Sequence, residues 1–398
     1  NIVEVKKADL EKVINKLFKG RLEIADVDYS QVNFAADADI YAELVTPAYV
    51  VLEQLLAQGL SKDLLTDTVV FNALMDALVI GLETSLAEAL APAVVRAVVA
   101  KLEGNSNEII SSAAKALDIE NVSDETIMND LYKVAEAARI ANELGIVSAI
   151  LHKEDIALTD AESYAELVAK VFEMNMVDAA FADVLVALVE AVANVDLSTT
   201  NLSNMDVEAE QATIVELVRN GVLLANSLGV ETLKGVKPFA KDYLSAVKAA
   251  VADAKDLAKS KEYLEAVKVA FNAVVDPIRE ADTAVIKETL ELVAELQLVE
   301  EAGLEIYKQA IYSKLDGVLA VIGDVHDYTN EQFAEDLSVF VEIADILYDS
   351  KIYTVITERT LPGEECIPQL EEAVKLACEL NIVEVKKADL EKVINKLF

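Results

Sequence analysis

The chain has 398 residues, with 71 acidic against 34 basic side chains and a formal net charge of −37. That balance excludes the basic footprint that phosphate contacts need and disfavours anionic membrane surfaces, so nucleic acid is not an expected partner. Hydrophobic residues make up 54% of the sequence, which is enough to bury two or three domain-sized cores and too much for a disordered acidic chain.

The first stretch, NIVEVKKADLEKVINKLF at 1–18, returns letter for letter at 381–398. In it Leu10, Val13, Ile14, Leu17 and Phe18 fall at helical spacing and define one apolar face, with Gly20 as a stop. The second copy presents the same face as Leu390, Val393, Ile394, Leu397 and Phe398. These ten residues are the expected interface at a seam between units. Next comes 21–34, rich in β-branched residues, which reads as a short strand or an irregular connection. Within it and just beyond, Asp26, Asp28, Ser30 and Asp37 stand at positions 1, 3, 5 and 12 of a calcium loop. Gln31 occupies the place where such a loop turns on Gly, and Asp37 replaces the bidentate Glu. Calcium is therefore the one cofactor the sequence raises, on these four residues; Asp324, Asp327 and Glu331 form a second acidic cluster.

Helical periodicity continues through the rest of the chain. Pro47 and Pro92 mark helix starts or kinks. The most apolar region, 64–102, is punctuated by Asp67, Asp76, Glu83, Glu88, Arg96 and Lys101, and the longest charge-free run, 220–230, is well short of the ~20 residues a spanning helix needs. No membrane span is expected. Thr159 to Glu162 and Thr329 to Gln332 read as capping boxes, while Asp276-Pro277 and Pro238 read as helix starts. The polar stretch 196–206 is the expected linker, leaving helical halves at 1–196 and 205–380. A second run rich in β-branched residues, 351–360, is another short strand or irregular segment. Cys366 and Cys378 form no metal or redox motif and read as partly buried apolar residues, with a local disulfide as the alternative.

Shorter internal similarities are also present. ESYAELVAKVF (162–172) overlays ADLEKVINKLF (8–18), and KDYLSAVKAAV (241–251) matches KEYLEAVKVAF (261–271). ANELGIV (141–147), ANSLGVE (225–231) and ACELNIV (377–383) each put Gly or Asn after a final Leu, as a left-handed helix cap requires. The last string contains Asn381, the equivalent of Asn1. Residues 1–380 thus read as one period of a tandem array, with 381–398 as the start of the next. Lys6, Lys7, Lys12 and Lys16 against Glu4, Asp9 and Glu11 leave each 18-residue copy one net positive charge, a seam where acidic units can meet.

Catalytic chemistry finds no fingerprint. His152 and His326 lack partners at metal-helix spacing, and no phosphate loop, dinucleotide motif or nucleophile elbow occurs. The expectation is an all-α protein of serial helical bundles or helix-hairpin repeats, elongated and structural, not an enzyme. It has copies of itself as partners and no small-molecule substrate. In general style the long identical repeat resembles those of large bacterial surface or filament proteins. That similarity implies an extracellular or cell-surface position, with the cytoplasm as the alternative. The competing expectation is a helical-repeat scaffold that binds a basic peptide or protein.

Overall fold

Apolar residues at helical spacing form helices along most of the described chain, and the protein is all-α. The structure, a computed structural model, describes residues 12–14, 16, 18, 22, 24, 27–59, 61–202, 204–279, 281–312 and 328–385. It divides into two units, 1–192 and 193–398. No extended strand forms among the described residues. Among the described residues, the run near 21–34 is irregular chain with a 3₁₀ turn at Tyr29–Gln31, the second of its two expected forms. That near 351–360 is a turn and a single helical turn, because Lys351 and Arg359 both take positive φ and end any extended run.

In the first unit the helices are α1 (Ala38–Glu43), α2 (Val45–Gln58), α3 (Lys62–Thr66), α4 (Thr68–Leu82), α5 (Ser85–Glu103) and α6 (Glu108–Ala116). They continue as α7 (Asp124–Glu143), α8 (Ile146–His152), α9 (Ala161–Phe172), α10 (Asn175–Ala179) and α11 (Phe181–Ala193). Helix α7 is central and packs against α4, α5, α8, α9 and α10. Its small residues Ala135 and Ala137 admit close neighbours, and Ile127 is fully buried. Around Ile127 lie Val99, Ala114, Ile119, Met174, Met176 and Val177. Pro47 is the third residue of α2, a tolerated first-turn position, whereas Pro92 lies buried inside α5.

The second unit has α12 (Val207–Ser227), α13 (Leu233–Lys259), α14 (Tyr263–Val275), α15 (Thr283–Glu295) and α16 (Gln297–Ile306). A π-helical turn at Tyr307–Tyr312 follows, and then α17 (Asn330–Asp349), α18 (Thr354–Thr357), α19 (Ile367–Glu379) and α20 (Asn381–Val385). Helix α17 is the centre here, packed against α15, α16, α19 and α20. Gly303 brings α16 close to it: a Cβ there would meet Phe333 at 3.1 Å and Val299 at 2.8 Å. The string 241–251 lies in α13, and 261–271 runs from the preceding turn into α14; the two helices form a hairpin latched by the Tyr243 hydroxyl donating to the Val274 carbonyl at 3.1 Å.

Several local expectations are corrected. The helix α9 is capped by Asp160, whose carboxylate accepts from the Ser163 N–H at 3.2 Å, one residue past the expected Thr159. The Thr329–Gln332 capping box is present. Pro238 lies inside α13, which starts after Thr232, and Asp276 opens a 3₁₀ turn whose N-cap is Val275. The polar stretch 196–206 is anchored to its surroundings. Leu197 and Leu202 are buried, and the Asp196 N–H donates to Gln309 at 2.8 Å. Cys366 is buried, Cys378 is exposed, and both are free thiols, so no disulfide joins them.

Candidate functional site

Gly145 and Gly229 take the left-handed conformation after α7 and α12, as their strings require (φ 73 and 72°). Asn381 does not. Leu380 before it is extended (φ −58°, ψ 132°), and Asn381 opens the new helix α20. The reason is a carboxylate from a distant part of the chain. Asp336, on α17, is 1% exposed. Its Oδ1 accepts from the Asn381 N–H at 2.7 Å and from Asn381 Nδ2 at 3.1 Å, and its Oδ2 accepts from the Ile382 N–H at 2.8 Å. The Tyr328 hydroxyl also donates to Oδ2 at 2.7 Å, and the neighbouring Glu335 accepts from Asn381 Nδ2 at 2.9 Å. Burial first, and then the hydrogen bond to Asp336, push the Tyr328 phenol well above its ordinary range, so it stays a donor.

The same device sits in the first unit. Asp130, on α7, is fully buried. Its Oδ1 accepts from the Asn175 N–H and Nδ2, both at 2.9 Å, and its Oδ2 accepts from the Met176 N–H at 2.8 Å. Here the additional partner is the Lys133 ammonium at 3.6 Å instead of a phenol. Donor and acceptor residues are 45 apart in both places.

The correspondence extends further. A shift of 206 residues carries α7 onto α17 (124 to 330) and N-cap Ser123 onto N-cap Thr329. It also carries the positive-φ residues Gly145 and Lys153 onto Lys351 and Arg359, and the starts of α9 and α10 onto those of α19 and α20. Glu125, Asp130, Leu131, Glu136, Ala138, Ile140 and Asn175 are matched by identical residues at the shifted positions. The two units therefore contain one repeated sub-structure. It pairs 162–172 with 368–378, while most of 8–18, over which the sequence lays 162–172, lies outside the described residues. The interior counterpart of the start of the 18-residue copy is Asn175-Met176-Val177.

Two further buried acids do similar work. Asp37 accepts on Oδ2 from the Ser85 N–H at 2.9 Å and hydroxyl at 2.6 Å, where α5 begins. Glu210, on α12 and 1% exposed, accepts from the N–H groups of Gln297 at 2.9 Å and Leu298 at 3.2 Å, the first turn of α16. Helices α10 and α16 have Met174 and Leu296 at their N-caps, neither of which makes a capping bond. The remote carboxylates satisfy those orphan N–H groups and place negative charge at the positive end of the helix.

Burial raises the Glu210 carboxyl above its ordinary range, opposed by the two backbone N–H groups that favour its charged form. A raised folded pKa means the native state holds this proton more tightly than the unfolded chain. Glu210 therefore lends most stability below the unfolded carboxylate range, and that contribution falls as pH rises through its folded value. Urea midpoints measured against pH are expected to show this decline in the parent and to lose it in Glu210→Gln.

Of the calcium candidates, Asp28 turns both oxygens to Ser30, at 2.7 Å and 2.8 Å, and Asp37 faces Ser85. Asp26 lies outside the described residues, as do Asp324, Asp327 and His326. Among the described residues no group of three His, Cys, Asp or Glu is placed to hold a metal. His152 pairs with Asp63 at 3.1 Å and with Ser148. A groove beside α5 is lined by Val27, Asp28, Pro92, Arg96 and Asp124, and its cation is engaged by Asp124 at 2.7 Å and the Val122 carbonyl at 2.8 Å. Of the expected seam residues, Ile14 is buried, Phe18 is half-buried and Val13 is exposed. Leu10, Leu17, Leu390, Val393, Ile394, Leu397 and Phe398 lie outside the described residues.

The surface also carries an apolar stripe. Val45, Tyr49, Leu52 and Leu56 follow one another at helical spacing on α2 and are all exposed, Leu56 at 87%. By length and composition Ala38–Gln58 reaches what a membrane-crossing segment needs, at mean hydropathy 1.2, but the helix breaks at Leu44 between α1 and α2. No family model, curated protein or solved structure matches the chain.

Proposed function

We propose that the chain is a structural module, not an enzyme, whose helical units follow one another in series and whose partners are further copies of itself. The observation that carries this reading is the repeated clamp: a carboxylate on the central helix holds the start of a helix 45 residues on, at Asp130 and again at Asp336. At the second site the helix so held opens with the residues that are identical at 1–18. One unit thereby fixes the entry of the next stretch, which is how stacked-repeat proteins propagate order through neighbour contacts alone. The exposed stripe on α2 supports the same reading, since an apolar face of this kind suits packing on a neighbour. A net charge of −37 keeps such units from collapsing on one another without order.

The test is small-angle X-ray scattering from a chain of two periods, residues 1–398 continued by 19–398. Its largest dimension is expected to grow roughly in proportion to the number of periods. A two-period chain that scatters as one compact globule would count against the reading.

A further inference from the structure

The groove that α17 and α19 present to α20 is defined by few groups. The acceptors are Asp336 and Glu335, and the residues they hold are Asn381 and Ile382, with Val383 half-buried behind them. Nothing in that recognition depends on the held segment belonging to the same chain. It needs two successive backbone N–H groups, an Asn side chain and the apolar residues that follow. Residues 1–5, Asn-Ile-Val-Glu-Val, provide this in identical form. The 18-residue sequence that begins at Asn381 also carries a net positive charge, against −37 for the chain as a whole.

We propose that the Glu335–Asp336 groove is a docking site for residues 1–5 of a second copy of this chain. The intramolecular segment 381–385 occupies it when present and exchanges with the second copy's segment. The proposal deepens the serial-array reading and rests on it, because it names the contact by which one copy receives another. Exchange of an identical element between protomers adds no new contact, so its cost is small. The effective concentration of the tethered segment keeps the groove filled from within unless that segment is disabled.

The closing experiment uses the full chain. Asn381→Ala with Ile382→Pro removes the Asn side-chain donor and the N–H that Asp336 Oδ2 accepts. Pro is tolerated in the first turn of a helix, so α20 itself is not broken. The double variant is expected to associate with itself as concentration rises, measured by light scattering, while the parent stays monomeric. The acetylated peptide NIVEVKKADLEKVINKLF should bind the variant one to one and return it to monomers. The same peptide with Pro at its second position should bind about tenfold more weakly or worse, as should the parent peptide to a variant that also carries Asp336→Asn. Far-UV circular dichroism checks that each variant is folded.

A second arm needs no altered chain. Labelled peptide in excess should exchange slowly and saturably into the parent protein, competed by unlabelled peptide and not by the Pro peptide. Absence of binding in both arms would overturn the proposal, as would binding indifferent to Asp336 or to the second peptide position. If two-period chains are elongated while the peptide fails to bind, the docking site falls and the array stands. If they are compact, the array reading falls whatever the peptide does.

Discussion

Asp130→Asn is expected to lower the stability of the first unit by about 2–4 kcal/mol, the cost of stranding buried donors and removing a charged acceptor. The carboxylate is fully buried and receives three donors, Asn175 N–H, Asn175 Nδ2 and Met176 N–H, with the Lys133 ammonium nearby. An amide keeps one accepting oxygen and points an NH₂ at a donor. Because Met174, Met176 and Val177 are themselves core residues, loosening this helix start also opens the hydrophobic cluster. Urea unfolding followed by circular dichroism should show the midpoint fall. Asp63→Asn is the control: it alters an exposed carboxylate paired only at the surface and should change stability by less than about 1 kcal/mol. The matching change Asp336→Asn should act more locally, since Ile382 and Val383 are only half-buried and the segment it releases lies at the edge of α17.

Ile127→Ala should cost about 2–5 kcal/mol, combining lost burial with the cavity left behind. Ile127 is 0% exposed, and it stands on the same face of α7 as Asp130, three residues away. The two substitutions share neighbours, so their double variant should depart from additivity, and a double-mutant cycle measures the difference. Leu56→Ala removes a similar side chain from the exposed stripe and should move the urea midpoint by no more than about 0.5 kcal/mol equivalent.

The helices themselves were legible in the sequence, because periodicity, Gly145, Gly229 and the Thr329–Gln332 box are local signals that no tertiary contact contradicts. The hairpin of α13 and α14 was also foreshadowed, by the matching strings 241–251 and 261–271. At 21–34 and 351–360 the β-branched content left strand and irregular chain both open, and the described residues take the irregular form, since the fold offers no pleated half-buried surface there. Asn381 misled for a related reason. In sequence it follows a final Leu as a left-handed cap would, and only the distant Asp336 makes it a helix start.

The clamps were not legible as local patterns, since acceptor and donor lie 45 to 88 residues apart. No local feature of the sequence sets Asp130 or Glu210 apart from the many other acidic residues of the chain. A faint signal did exist: Asp130 with Asn175 and Asp336 with Asn381 share one spacing, and the gapless shift of 206 residues joins them with N-caps and chain reversals in register. Similar strings laid 162–172 over 8–18 and passed over 368–378, which the 206-residue shift pairs with 162–172 although few of its letters agree.

Amide hydrogen exchange at the two clamped helix starts reads the carboxylate clamps residue by residue. In the parent chain the N–H groups of Asn175, Met176, Asn381 and Ile382 should be protected, although the first N–H groups of a helix ordinarily exchange freely. In Asp336→Asn the protection at Asn381 and Ile382 should vanish while that at Asn175 and Met176 is retained. Exchange at unprotected rates at both sites in the parent, or protection at Asn381 and Ile382 unchanged by Asp336→Asn, would contradict the account.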